Sequence, residues 1–407
     1  MLTRFGCFTL QTAKRGCGCN GNSKALRGFR YKSSYLHDYR PLRILFCGSD
    51  EFSITSLQAL HKHAKSDNSN VASIEVATKT DKRTGRGLKT IKPPPIKAVA
   101  QELGLPVHQF DSFRGWHMPT SSSSGQHYIN MVIAVSFGLL VPPRILAACE
   151  FGGLNVHPSM LPDLKGSTPI EHAIINGYTT TGVTVQTLHP SRFDEGNIVL
   201  QTPFPGIHIP DPEHITSLEL RNFLAPVGAE LLVRSLREGL YLRQQPTTST
   251  ACASELHHAP KLSPEARHVN FRGMASTHIL RLHRALGRLW IRPSNIGGHQ
   301  ADTRLILESD LRLANTKDLK HIPSATLDKV ETGVPFTVTD SHSSSGDVAS
   351  ILLVKCADGN FLCIPTIRMS GSQSANSATV AAKANLLQAA EPVHGDLEMR
   401  KFRHLPD

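Results

Sequence analysis

"INMVIAVS", residues 129–136, decides the fold class. A half-solvated antiparallel strand alternates apolar with polar residues. A near-continuous apolar run is what a parallel sheet covered on both faces requires. The neighbouring segments agree. "LRILFC" (42–47) reads as another buried strand, "EFSITSLQALHKHA" (51–64) as a helix and "VASIEVAT" (71–78) as a third strand. A basic, proline-rich loop follows, then a helix through "IKAVAQELG" (96–104). Such alternation is the α/β pattern, and it predicts a Rossmann-like, mostly parallel sheet.

The next strand is less ordinary. In "GGLNVHPSMLPDLKG" (152–166), Asn155 and His157 share one strand face while Leu154 and Val156 fill the other. Pro158 ends ladder pairing, which leaves the two polar groups near the strand's C-terminal mouth, the edge where open α/β sheets bind ligands. Taken alone, the stretch reads equally well as a polar strand end capped by a turn. "STPIEHAIING" (167–177) predicts a helix with Thr168 as N-cap, Pro169 in the first helical position and Glu171 completing a capping box. Asn176-Gly177 ends that helix. "TGVTVQTLH" (181–189) and "IVLQTPF" (198–204) read as strands, and the loop between them carries Asp194. A long helix is expected from Ser217 to Glu238.

An Asn, a His and an Asp on neighbouring loop ends suit acyl transfer. An amide and an imidazole can donate to a developing oxyanion. A carboxylate beside an imidazole fixes its tautomer and favours its charged form. Neither Ser159 nor Thr168 sits in a G-x-S-x-G elbow, so direct attack by the substrate is expected rather than a covalent acyl-enzyme. "CGSDEF" (47–52) is no G-x-G-x-x-G fingerprint and gives a dinucleotide no support. His172, His189, His257 and His258 lack metal-ligand spacing.

Charge is unevenly placed. The chain of 407 residues carries +11, and residues 1–40 hold eight Lys/Arg against the single acid Asp38. An arginine-rich, acid-poor start without a secretory apolar core reads as a mitochondrial transit peptide. Cys7, Cys17 and Cys19 lie within it, and the remaining cysteines stand apart, mostly in apolar runs, as reduced core thiols do. No apolar stretch reaches the roughly 18 residues of a membrane span. From Lys79 to Lys97 the cations Lys79, Lys82, Arg83, Arg86, Lys89, Lys92 and Lys97 face only Asp81. Such a run is a solvated face or, with mobile Gly85 and Gly87 before prolines 93–95, a projecting anion-binding loop. Residues 241–262 read as a polar linker. After it come a helix near 272–286 and the short β-rich pieces "TRLILES" (303–309), "VASILLVKC" (348–356) and "NFLCIPTI" (360–367), which suit a small OB-like barrel.

Residues 151–199, "FGGLNVHPSMLPDLKGSTPIEHAIINGYTTTGVTVQTLHPSRFDEGNIV", resemble the 10-formyltetrahydrofolate-dependent formyltransferase family, in which Asn-x-His-x-Ser-Leu-Leu-Pro precedes an Asp-x-Gly loop. The likeness extends to 42–60, 80–107 and 132–146, and weakly to "HHAPKLSPEARHVNF" (257–271). It implies transfer of the formyl group of 10-formyltetrahydrofolate to the α-amine of methionine esterified to an initiator tRNA, for translation initiation in the mitochondrial matrix. It further implies a metal-free monomer without a membrane partner. Residues 41–240 would be the formyltransferase domain and 263–407 a tRNA-binding barrel. By position, Asn155, His157 and Asp194 fall on the catalytic triplet. Ser159, Met160, Leu161 and Pro162 fall on a folate-binding turn, with Phe137, Gly138 and Leu139 lining the pterin pocket. Arg86, with Arg83, Lys89 and Lys92, falls on the loop that meets the acceptor stem. Met160 stands where leucine is usual, Asn197 where an acid often follows the loop glycine, and Asp163 and Lys165 where the bacterial pattern has two arginines. The alternatives are the same chemistry on a small amine, hydrolysis to formate, or a catalytically dead RNA-binding protein. A basic insertion and a barrel favour tRNA, and retention of all three triplet residues disfavours a dead enzyme.

Overall fold

The computed structural model describes residues 40–119, 128–242, 256–292, 304–308, 310–320, 322–340, 351–369, 373–383, 386–389, 391–394 and 397–402. The expected transit peptide therefore lies outside the described residues.

The first half is built on β1 (Leu42–Gly48), α1 (Glu51–Ala64), β2 (Val71–Thr78), β3 (Lys82–Thr84), β4 (Thr90–Lys92), α2 (Pro95–Glu102), β5 (Val107–Gln109), β6 (Met131–Val135), α3 (Pro143–Ala148), β7 (Gly153–His157), α4 (Pro169–Ile175), β8 (Thr180–Thr181), β9 (Thr184–Thr187), β10 (Ile198–Gln201), β11 (Ile207–His208) and α5 (Ser217–Arg237). Seven strands form one sheet in the order β10-β9-β7-β6-β1-β2-β5. The strands from β7 to β5 run parallel, whereas β9 runs antiparallel to both β7 and β10. The apolar run in β6 has the predicted cause, since all five of its residues are buried. In β1, Ile44 and Phe46 join a core with Phe52, Leu57, Leu220 and Leu232 from α1 and α5. Leu45 and Cys47 turn to the opposite core, beside Val132, Phe110, Phe113 and Ile145. Burial of aliphatic surface on both faces, at roughly 25 cal/mol per Å², is what holds a parallel sheet together.

Two local readings change. The basic loop folds as a hairpin, in which Lys82, Arg83 and Thr84 of β3 pair with Lys92, Ile91 and Thr90 of β4. Its turn uses the positive φ of Gly85 and Gly87, 78° and 72°, backbone angles that glycine adopts without steric cost. The capping box of α4 does not form. The Thr168 hydroxyl donates instead to the Pro260 carbonyl at 2.6 Å, and the Glu171 carboxylate pairs with Arg221 at 3.2 Å. Tertiary partners override a local cap worth about 1 kcal/mol. The capping box appears on α5, between Thr216 and Glu219.

The second half contains α6 (Ser276–Leu286) and the strands β12 (Leu289–Ile291), β13 (Leu305–Leu307), β14 (Arg312–Leu313), β15 (Phe336–Asp340), β16 (Leu352–Lys355), β17 (Phe361–Ile364), β18 (Thr366–Met369), β19 (Ala375–Asn376), β20 (Glu391–His394) and β21 (Leu397–Lys401). They make two antiparallel sheets, β12-β13-β18-β19 and β14-β17-β16-β15-β21-β20. The single run "NFLCIPTI" supplies a strand to each, because Pro365 between β17 and β18 has no N–H for a ladder. Phe271, Ile279, Leu305, Val354, Leu362 and Phe402 fill the core beneath them. Cys47, Cys149, Cys356 and Cys363 are buried free thiols, and burial raises Cys356 to about 12, so it stays protonated.

Candidate active site

β7 ends where β6 and β9 flank it, and its alternation presents Asn155 and His157 at the C-terminal mouth of the sheet. β9 runs antiparallel beside it and sets Gln186 directly across from Asn155. The loop after β9 returns Asp194 to the same spot in a left-handed backbone conformation, φ 54°. Non-glycine residues adopt that conformation at a cost, and such strain collects at functional sites. Together these groups line an open cleft of about 570 Å³.

Asp194 is the hub. Its Oδ1 accepts from Asn155 Nδ2 at 3.2 Å and Gln186 Nε2 at 3.0 Å. Its Oδ2 accepts from the Gly166 N–H at 3.0 Å. His157 Nδ1 lies 3.4 Å from Oδ1, with both side chains under a tenth exposed. The tautomer is set from the other side of the ring. His157 Nε2 faces the Leu164 carbonyl oxygen at 3.0 Å, and a carbonyl only accepts, so Nε2 carries a proton. Nδ1 is the nitrogen turned toward Asp194. The Leu164 carbonyl and the Asp194 carboxylate thus face the two ring nitrogens from either side.

The rest of the lining is part apolar and part charged. Phe137, Gly138, Leu139 and Val141 line the cleft, as does Leu188. Gly138 has φ 69°, and a Cβ there would meet the Lys79 side chain at 3.0 Å. Asp50, Glu171 and Arg221 also line the cleft. Burial raises the Asp50 carboxyl above the usual carboxylate range, against the opposing Ser53 N–H and the Arg221 charge.

The turn expected to bind folate is held by hydrogen bonds of its own. Ser159, Met160, Leu161 and Pro162 are not among the cleft's lining residues. Ser159 is fully buried with its hydroxyl on the Asp163 carbonyl at 2.7 Å. The Leu161 N–H donates to Thr184 Oγ1 at 3.1 Å, and Met160 Sδ accepts from Thr202 Oγ1 at 3.3 Å. The turn supports the end of β7 from behind, because its polar atoms are engaged by β9 and its neighbours. Arg83, Lys89 and Lys92 are exposed on the hairpin, while the Arg86 side chain lies outside the described residues. Among the described residues no group of three His, Cys, Asp or Glu is placed to hold a metal ion. Gln186 escapes the sequence reading, although its alternation with Val185 already puts it on the polar face. The Leu164 and Gly166 backbone groups carry no side-chain signal that would reveal them.

Residues 42–234 match the family model described as formyl transferase. The chain is 32% identical over 362 residues to the mitochondrial methionyl-tRNA formyltransferase of Saccharomyces cerevisiae, covering 82% of this chain and 86% of that one. It belongs to the methionyl-tRNA formyltransferase family. Two further members are similar: the mitochondrial enzyme of Mus musculus, 31% identical with 84% of this chain and 79% of that one covered, and that of Homo sapiens, 31% identical with 81% and 75% covered.

Proposed function

We propose that this chain transfers the formyl group of 10-formyltetrahydrofolate to the α-amine of methionyl-initiator tRNA in mitochondria, acting in the matrix as a monomer with no membrane partner. The carrying observation is the meeting of Asn155, His157 and Asp194 at one cleft edge in a member of this family. The folate supplies the formyl carbon. Its flat ring suits the apolar wall of Phe137, Leu139 and Val141, where Gly138 leaves the backbone open to close approach. Ser159 to Pro162 act by bracing β7.

Attack of an amine on a formyl carbon develops negative charge on oxygen. Asn155 Nδ2, with one N–H on Asp194, keeps a second for that oxygen. Protonated His157 Nδ1 is the other donor, because Nε2 is committed to Leu164. Asp194 orients His157 and takes a proton from the attacking amine. The tetrahedral adduct then collapses with cleavage of the bond between the formyl carbon and folate N10, and that nitrogen leaves carrying the proton. Pre-aimed donors in a site of this burial need no reorganisation as charge develops. The exposed cations of the β3–β4 hairpin, Arg83, Lys89 and Lys92, together with Arg86, meet phosphates of the acceptor end. Residues 1–40 serve as the address, 41–240 as the transferase domain and 263–407 as a second RNA-binding surface.

The test compares substrates. Residues 41–407 should formylate charged initiator tRNA and leave free methionine essentially untouched. Equal rates on both would remove the RNA from the proposal, and no transfer to either would remove the reaction.

A further inference from the structure

One strand-like segment has no part in the chemistry described above, yet it grips the loop whose backbone groups that chemistry relies on. Residues 257–260, where the chain returns after residue 242, lie along the loop 163–168. The Leu164 N–H donates to the His257 carbonyl at 2.8 Å, the Ala259 N–H to the Lys165 carbonyl at 2.7 Å and the Thr168 N–H to the Ala259 carbonyl at 3.2 Å. Lys165 and His258 form a parallel bridge. Pro260 accepts from the Thr168 hydroxyl at 2.6 Å, with His172 Nε2 at 3.2 Å. Leu164, Ala173 and Ala259 close an apolar cluster here, with Tyr178 packed against it. The fit leaves no slack, for a Cβ on Gly166 would stand 2.1 Å from the Ala259 carbonyl oxygen.

The strap is pinned by Asp163. Its Oδ1 accepts from the His257 N–H at 2.8 Å and its Oδ2 from the Tyr178 hydroxyl at 2.7 Å. Tyr178 also meets His257 Nδ1 at 3.0 Å. The loop so held is the one whose Leu164 carbonyl fixes His157 Nε2 and whose Gly166 N–H holds Asp194. Leu164 keeps a left-handed backbone, φ 56°, which a leucine maintains only when its surroundings impose it. Lys165 completes the loop by pairing with Glu195, next to Asp194, at 3.0 Å.

We infer that residues 257–260, pinned through Asp163 and Tyr178, are the positioning device for His157 and Asp194. Asp163 is thus a positioning residue. The inference rests on the proposed roles of Asn155, His157 and Asp194. Misplacing a catalytic group by 1 Å costs on the order of 10²-fold, so releasing the pin should cost turnover and leave folate affinity alone.

The experiment uses the full chain with charged initiator tRNA and 10-formyltetrahydrofolate. Asp163→Ala should lower kcat by about tenfold or more with KM for folate within about twofold, and should alter the pH profile of kcat. Asp163→Asn keeps an oxygen for the His257 N–H and should recover part of the loss. Tyr178→Phe, which adds no volume and should fold, should show a smaller drop of the same kind and carries the test where Asp163→Ala does not fold. Histidine ¹⁵N spectra should give a fixed Nε2–H form for His157 in the parent and an averaged signal in Tyr178→Phe. Parent-like kcat, pH profile and His157 signal in the folded variants, with only thermal stability lowered, would overturn the inference. Asn155→Ala run alongside separates the two failures: if it is parent-like too, the site reading falls and takes this inference with it.

Discussion

At the scale of single residues, the proposed chemistry turns on which nitrogen of His157 carries a proton. Period-two alternation is enough to place Asn155 and His157 on one face, and a glycine-bearing loop is enough to single out Asp194. The same alternation runs through "VTVQTLH", yet it does not single out Gln186, because a glutamine on a strand has no chemistry of its own until its neighbour is known. Backbone donors are beyond reach for a deeper reason: Leu164 and Gly166 act through a carbonyl and an N–H that nearly every residue possesses. Gln186 supplies one of the three hydrogen bonds that hold the Asp194 carboxylate. Gln186→Leu keeps the volume and removes that donor from a buried carboxylate. Stability should fall by about 1–3 kcal/mol, read by denaturant unfolding. Turnover should fall by roughly tenfold, a loss of about 1.4 kcal/mol in transition-state stabilisation. Unchanged turnover would mean that Asn155 and Gly166 suffice to orient Asp194.

At the scale of elements, long apolar runs are legible in the sequence and short polar ones are not. α1 spans the residues expected from its pattern, since Phe52, Leu57 and Leu60 are buried at helical spacing. The hairpin β3–β4 escapes because three-residue strands with every residue of β4 exposed leave no apolar period to read. Its charge is legible nonetheless. Lys89→Ala with Lys92→Ala should raise KM for charged tRNA and leave folate affinity unchanged. For every phosphate that these lysines neutralise, their removal should lower the log–log salt slope of RNA binding by about 0.7–0.9. Binding titrations between low and physiological salt would measure it. An unchanged slope would make the hairpin a solvated face. The strap at 257–260 looks like the end of a linker, since four residues whose partners are all distant in sequence show no period either.

At the scale of the whole molecule, the α/β half follows from the apolar run in β6, and the β-rich half follows from short strands between turns. The division of those strands into two sheets is not legible, because it depends on which partner each edge finds. The sheet β12-β13-β18-β19 brings a buried carboxylate into play. Glu308, 7% exposed, accepts from Arg368 Nε at 3.0 Å and Ser374 Oγ at 2.8 Å, with Arg288 Nε at 2.6 Å. Burial alone would raise its pKa, but these donors outweigh it and hold the carboxyl below the usual range. A carboxyl depressed in the folded state stabilises the protein above its unfolded pKa, about 4.3. That contribution fades as pH falls through the acid range. Glu308→Gln should therefore be less stable than the parent at pH 7 by about 1–3 kcal/mol, with the gap closing below about pH 4, checked by melting curves across pH. The fold, however, only delivers the groups, and function lies in what they do once delivered. Single-turnover formyl transfer to charged initiator tRNA at saturating folate reads that step, comparing the parent with Asn155→Ala and Asp194→Ala, alongside folate affinity by titration. Rates should be lower by roughly 10²–10³ with folate affinity nearly unchanged. Near-parent rates in either variant would contradict the roles assigned to Asn155 and Asp194.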